Sequence, residues 1–140
     1  MFLRALIDTN VVLDVWLERQ PFLRASALVL DACERGTIGG LFCASSVTDL
    51  YYIGRKELGE AAIRSRLRVL TAVLEIASVQ SSHIRSALDS PLSDFEDAVL
   101  EAVATESAAR YIITRNTLDF SRSPLAALDP EAFLKLVAQD

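Results

Sequence analysis

Histidine occurs once in the 140-residue chain, as His83, and lysine only twice, as Lys56 and Lys135. Chemistry built on an imidazole base, or on a Ser/His/Asp arrangement, would therefore rest on His83 alone. That residue follows Gln80-Ser81-Ser82 at an expected helix start and reads as an exposed loop or first-turn position. Cysteine is almost as scarce: Cys33 and Cys43 lack paired spacing, which excludes a zinc site or disulfide framework and leaves two small core residues. No apolar run approaches the roughly 18 residues that span a bilayer. Met1 leads into the first strand without a basic segment or cleavage site, so a cytoplasmic protein without a membrane segment is expected. An excess of positive charge is also missing. The net charge of -5 argues against a passive nucleic-acid-binding module, which is usually basic. It does not exclude a nuclease whose acids are clustered and neutralised by cations.

Hydrophobic residues make up 51% of the chain, ample for one core; a domain of this size buries roughly 70% of the surface its unfolded chain exposes. Repeats, linkers and low-complexity segments are lacking, so residues 1–140 are expected to form a single domain. Apolar runs predict strands at 3–7, 41–44, 75–79, 110–114 and 125–128. Helical periodicity predicts helices over 11–18, 22–34, 47–56, 60–74, 81–88, 93–108 and 129–137. Gly39-Gly40 is expected as the turn into the second strand, and Gly54 with Gly59 as punctuation after the third helix. Thr9 or Asn10, Ser45 with Ser46, and Ser93 with Glu96 are the expected helix caps, and Asp129-Pro130 starts the last helix. Phe95, Ala98, Val99, Ala102 and Val103 form the predicted buried stripe of their helix. Alternating strands and helices argue a parallel sheet covered on both faces.

Acids recur where these strands end or helices begin. Asp8 closes the run Leu6-Ile7, Asp49 falls in the first turn after Ser46, and Asp119 follows the strand ending in Thr114-Arg115-Asn116. Each has a bland role as a cap or turn residue. Each also falls at the carboxyl edge of the sheet, where open α/β folds bind ligands. Asp94, Asp97 and Glu101 recur at three- and four-residue spacing, predicting one helix face of like charge. Arg64, Arg66 and Arg68 lie on an amphipathic helix and read as a solvated face or a phosphate contact. Were Asp8, Asp49, Asp97 and Asp119 to converge, they would raise one another's pKa values unless a divalent cation compensated. Oxygen donors without His or Cys point to Mg²⁺ or Mn²⁺, and phosphodiester hydrolysis is the reaction class that uses such parts best.

Four segments together resemble the PIN-domain ribonucleases, which include the VapC-like toxins of toxin and antitoxin pairs. They are Leu6 to Asp14 (LIDTNVVLD), Ala44 to Tyr52 (ASSVTDLYY), Asp94 to Ala98 (DFEDA) and Ile113 to Phe120 (ITRNTLDF). The resemblance implies a three-layer α/β/α fold with a central parallel sheet of about five strands, Mg²⁺ or Mn²⁺ dependence, and cleavage of RNA. By motif, Asp8, Asp97 and Asp119 would be catalytic metal-binding carboxylates. Asp49 stands where many members of the family have glutamate, one methylene longer, and would join them as a catalytic carboxylate at the metal, directly or through water. Asn10, Thr114 and Asn116 would position water or the acids, and Asp94 would be an extra acid. A small antitoxin protein and a homodimer are the partners the resemblance implies, with Trp16, Tyr51 and Tyr52 as candidates for either a partner surface or core.

Two other classes use some of the same residues. An aspartyl-phosphate signalling domain or phosphatase would need a lysine beside Asp8, and neither Lys56 nor Lys135 is well placed. A non-catalytic PIN-like module binding RNA or protein would keep the fold without turnover.

Overall fold

Arg4–Ile7 (β1) is the central strand of a sheet formed with Gly39–Cys43 (β2), Glu75–Ala77 (β3), Tyr111–Ile113 (β4) and Ala126–Leu128 (β5) in a computed structural model describing residues 3–138. The four terminal residues of the 1–140 assignment lie outside the described residues. The five strands run in the order β3-β2-β1-β4-β5, every pairing parallel, with Leu6 facing Leu41 on one side and Ile112 on the other. The helices are Thr9–Trp16 (α1), Leu23–Glu34 (α2), Val47–Leu58 (α3), Glu60–Val73 (α4), Ser81–Leu88 (α5), Phe95–Glu106 (α6) and Pro130–Ala138 (α7). The expected α/β/α fold with five parallel strands is the one this chain adopts.

The two-residue period of the strands builds two cores. Ala5, Ile7, Phe42 and Ile113 pack on one face with Val12, Trp16, Val29, Ile63 and Phe133. Leu6, Leu41, Cys43 and Ile112 pack on the other with Ala87, Leu100, Val103 and Phe120. Cys33 and Cys43 are both buried and free, as expected, and burial pushes the Cys33 thiol up to about 11. Because β1 pairs with β2 on one side and β4 on the other, connections leave it in both directions. A crevice opens at the carboxyl ends of β1 and β4, the switch point where such sheets bind ligands.

Several expected boundaries differ. Gly39 and Gly40 belong to β2: a side chain on Gly40 would lie 2.6 Å from Cys33 Sγ, so glycine there admits close packing and makes no turn. Gly54 is buried inside α3, where a side chain would collide with Ile63 of α4. Ser46 has helical backbone angles, because a 3₁₀ turn over Ala44–Ser46 precedes α3, and its side chain makes no cap bond among the described residues. Asp8 caps α1 in place of Thr9 or Asn10, and Asp94 caps α6 in place of Ser93. Asp129 caps α7 as expected, its carboxylate accepting from Ala132 N–H at 2.7 Å. Phe95, expected in the core, is exposed: it is the first residue of α6, whose buried positions begin only at Ala98. His83, expected exposed, is buried: Nδ1 accepts from Gln80 N–H at 2.9 Å, so Nε2 is left to pair with Glu106. Trp16 is core and Tyr52 is exposed.

Helices α1, α2 and α6 close in the same way, with paired backbone bonds around a residue of left-handed φ. Gly36 takes this position after α2 (φ 77°), but Glu18 (51°) and Ala108 (60°) take it after α1 and α6. Around Glu18 the bonds run from Glu18 N–H to Val15 O and from Arg19 N–H to Asp14 O, 3.3 and 2.9 Å.

Candidate active site

Asp8 leaves β1 in extended geometry and starts α1, its Oδ1 accepting from Thr9 N–H at 2.7 Å. Its other oxygen, Oδ2, faces β4: the buried Thr114 hydroxyl donates to it at 2.8 Å and Asn10 Nδ2 at 3.4 Å. Thr114 Oγ1 in turn accepts from Asn10 Nδ2 at 3.2 Å and from Asn116 N–H at 3.1 Å, while Arg115 N–H donates to Asn10 Oδ1 at 3.2 Å. One hydroxyl thus ties the end of β1 to the loop after β4, and both lone pairs and the proton of Thr114 are used.

Asp8, Asn10, Asp49, Asp94, Asp97, Asn116 and Asp119 line a single open cleft of about 510 Å³. Thr114, the remaining residue of the predicted set, lies beneath Asp8. Asp49 enters from the first turn of α3 and Asp97 from the first turn of α6. Asp94 Oδ1 accepts from Asp97 N–H at 2.9 Å, so this acid fixes the backbone that carries Asp97. Glu101, predicted on the same charged face, does not line the cleft.

The electrostatics are those of gathered like charges. Desolvation, then the charges of Asp94, Asp8, Asp119 and Glu96, push the Asp97 carboxyl up to about 7. Asp8 is raised mainly by burial, with the Thr114 and Thr9 hydrogen bonds acting in the opposite direction. Glu96 is raised by desolvation and then by Asp49, whose carboxyl both repels it and shares a hydrogen bond with it.

Sequence reasoning assigned Glu96 to a cap and so missed it as a cleft acid. Arg19, the one cation lining the cleft among the described residues, was also missed, as was the buried network behind it. Asp14 has no exposed side-chain surface; Arg115 grips it through Nε to Oδ2 at 2.8 Å and Nη2 to Oδ1 at 3.0 Å, and Ser26 donates to Oδ2 at 3.2 Å. The available signal was an acid flanked by Leu13 and Val15 in an otherwise apolar helix, which needs a partner if buried.

Among the described residues, no three His, Cys, Asp or Glu side chains stand close enough together to ligate one ion directly. The lining nevertheless fits a hard cation. Every acidic donor is oxygen, burial together with the neighbouring carboxylates pushes Asp97 up to about 7, and Thr9 Oγ1 is buried at the edge of the cleft without a hydrogen-bond partner. Lysine is not part of the lining among the described residues, so an aspartyl-phosphate site lacks its phosphoryl-holding cation at Lys56 or Lys135.

The PIN domain family model matches residues 4–118, and the chain belongs to this family. No curated protein matches the sequence. Among solved structures, a toxin-antitoxin complex from Klebsiella pneumoniae is similar at 22% identity and TM-score 0.69, covering 90% of this chain and 97% of that one. VapC20 of Mycobacterium tuberculosis, described as a toxin cleaving the sarcin-ricin loop, is similar at 12% identity and TM-score 0.70, covering 87% and 96%. DNA-bound VapBC of Salmonella typhimurium is similar at 14% identity and TM-score 0.68, covering 92% and 99%. These likenesses establish the fold.

Proposed function

We propose that this PIN domain is a metal-dependent endoribonuclease hydrolysing RNA phosphodiester bonds, and the toxin of a toxin and antitoxin pair. The observation that carries the reading is the gathering of acids from four separate segments at the β1 and β4 edge, where Asp97 is driven to about 7. Asp8, Asp97 and Asp119 would hold Mg²⁺ or Mn²⁺, with Asp49 acting through water. When bound, such a cation lowers the pKa of a water and neutralises charge on the phosphate. The chain's own groups do the rest. Thr114 and Asn10 fix Asp8 Oδ2 in one orientation, and Asp94 sets the first turn of α6 that presents Asp97. Asn116, at the rim, offers an amide to the substrate or its water. Burial, and then the Asp49 carboxylate beside it, raise the Glu96 carboxyl above its usual range, a repulsion that positive charge entering the cleft would relieve.

RNA as substrate is consistent with the family and with the activity in the description of VapC20. A small antitoxin as partner draws support from the similar toxin-antitoxin complexes. A homodimer fits exposed apolar side chains at Tyr52, Phe95 and Leu118. The reading treats residues 1–140 as one domain acting in the cytoplasm; no described helix is long and apolar enough to cross a membrane.

The test is cleavage of RNA by purified protein with Mg²⁺ or Mn²⁺ and with chelator, beside Asp8→Asn and Asp97→Asn. Cleavage that needs the metal and disappears in both folded variants is the expected result. Undiminished cleavage by both variants would sink the assignment.

A further inference from the structure

The cleft is lined by six carboxylates, from Asp8, Asp49, Asp94, Glu96, Asp97 and Asp119, and by Arg19 as the one cation among the described residues. A polyanion entering such a place meets repulsion everywhere except at divalent ions and at this guanidinium. Three features distinguish Arg19 from a chance surface arginine. The first is its backbone. Glu18 adopts a left-handed φ of 51°, unusual for a residue with a side chain, and the turn closing α1 brings Arg19 N–H back onto Asp14 O at 2.9 Å. The second is its anchor. Arg19 Nη1 stands 4.0 Å from Asp14 Oδ1, a carboxylate with no exposed side-chain surface. The third is that this anchor is already satisfied: Asp14 receives two hydrogen bonds from Arg115 at 2.8 and 3.0 Å and a third from Ser26 at 3.2 Å. Asp14 therefore orients Arg19 without engaging its donors, and the Arg19 side chain keeps 38% of its surface open.

We infer that Arg19 is a substrate-binding residue that takes a backbone phosphate of the nucleic-acid strand at the rim of the acid cleft. This rests on the nuclease reading. A guanidinium suits the task because its fork of donors matches two phosphate oxygens, while the buried Asp14 limits the rotamer freedom lost on binding. The alternative is a structural one, in which Arg19 serves only as a second counter-ion to Asp14 or to the cleft acids.

Salt dependence separates the two roles, because only a group that neutralises a phosphate changes the number of counterions released on binding. In an Asp97→Asn background, where cleavage is blocked, binding of a fluorescein-labelled single-stranded RNA of mixed sequence is measured by anisotropy across a salt series with Mg²⁺ present. Adding Arg19→Ala is expected to weaken binding about tenfold and to flatten the slope of log K against log salt by about 0.7, the value for one phosphate contact on a single strand. Arg19→Lys should restore the slope while recovering only part of the affinity, since charge returns without the fork. Background protein that binds with an unchanged slope and affinity after Arg19→Ala overturns this inference and leaves the nuclease reading standing. Background protein that binds no RNA, from a parent that also cleaves none, overturns both.

Discussion

Arg115 holds Asp14 by two hydrogen bonds, 2.8 Å from Nε and 3.0 Å from Nη2, while its Cζ lies over the Phe22 ring, 4.0 Å from the ring centre. This joins the middle of α1 to the loop after β4, and the same arginine's backbone N–H holds Asn10. The carboxylate has no contact with solvent, so its charge is tolerated only because the pairing is complete. Asp14→Ala should then cost about 3 kcal/mol, read from the shift of the urea midpoint at constant slope. The double variant Asp14→Leu with Arg115→Met should recover much of that loss, because no unpaired buried charge remains. A double variant as unstable as the sum of its single changes would refute the pairing account.

How far the sequence disclosed this arrangement depended on whether a signal was local. Strand runs such as Leu6-Ile7 and Ile112-Ile113 have burial written into their apolarity, and the order of elements followed from them. Asp8, Asp49, Asp97 and Asp119 were legible because each falls where a strand ends or a helix starts, and a parallel sheet brings those points to one edge. Contacts between distant side chains were not legible. The Thr114 hydroxyl reaches Asp8 across 106 positions and Arg115 reaches Asp14 across 101, and no periodicity encodes such pairs. Caps were misplaced by one residue for a related reason. Adjacent polar residues such as Ser93 and Asp94 cap equally well by type, and packing of the following turn selects between them. Glu96 was lost to the same ambiguity, since a residue three after a serine reads as a cap partner.

Thr114→Val keeps the shape of the side chain and removes the hydroxyl that Asp8, Asn10 and Asn116 share. Asp8 is then free to turn from the orientation the cleft requires, and the Asn116 N–H loses its acceptor. With Asp8 in its proposed role at a cation, metal affinity or RNA cleavage should fall by about 10- to 100-fold, the usual loss when a group that orients a ligand is removed. Stability should fall by about 1–2 kcal/mol. Thr114→Ser, which restores the hydroxyl, should recover most of both. Calorimetric Mn²⁺ titration beside a cleavage assay checks this, and wild-type values for the valine variant would remove Thr114 from the site.

Gly40→Ala tests why glycine stands inside β2. The added methyl would sit 2.6 Å from Cys33 Sγ and press on Leu74, both buried, so these two side chains must shift within a packed core. A loss of about 1–3 kcal/mol is expected, the usual cost of overpacking. Cys33→Ala should relieve part of it in the double variant, and thermal melting of the single and double variants would reveal that coupling. Independent, additive losses would mean that contact with Cys33 is not the reason.

The pH dependence of the metal-free protein should run opposite to that of most carboxylate-rich folds. Asp97 is raised to about 7, and Asp8 and Glu96 are raised as well, so the folded state binds these protons more tightly than the unfolded chain does. Their contribution to stability is fully present below the ordinary carboxylate range, about pH 4, and is lost as pH rises through about 7. Asp97 is only half-buried, which trims its share to about 1 kcal/mol once solvent screening is counted. Asp97→Asn removes the titrating group, so the variant should melt higher than the parent at pH 8 and lose that advantage near pH 5. Mg²⁺ should narrow the gap from the other side, stabilising the parent at pH 8 more than the variant, because a bound cation relieves the repulsion that asparagine has already removed. Melting curves of both proteins at the two pH values, with chelator and with Mg²⁺, decide the matter. A parent that gains stability from pH 5 to pH 8 no less than the variant does would mean that burial and the neighbouring acids do not hold Asp97 above the ordinary carboxylate range.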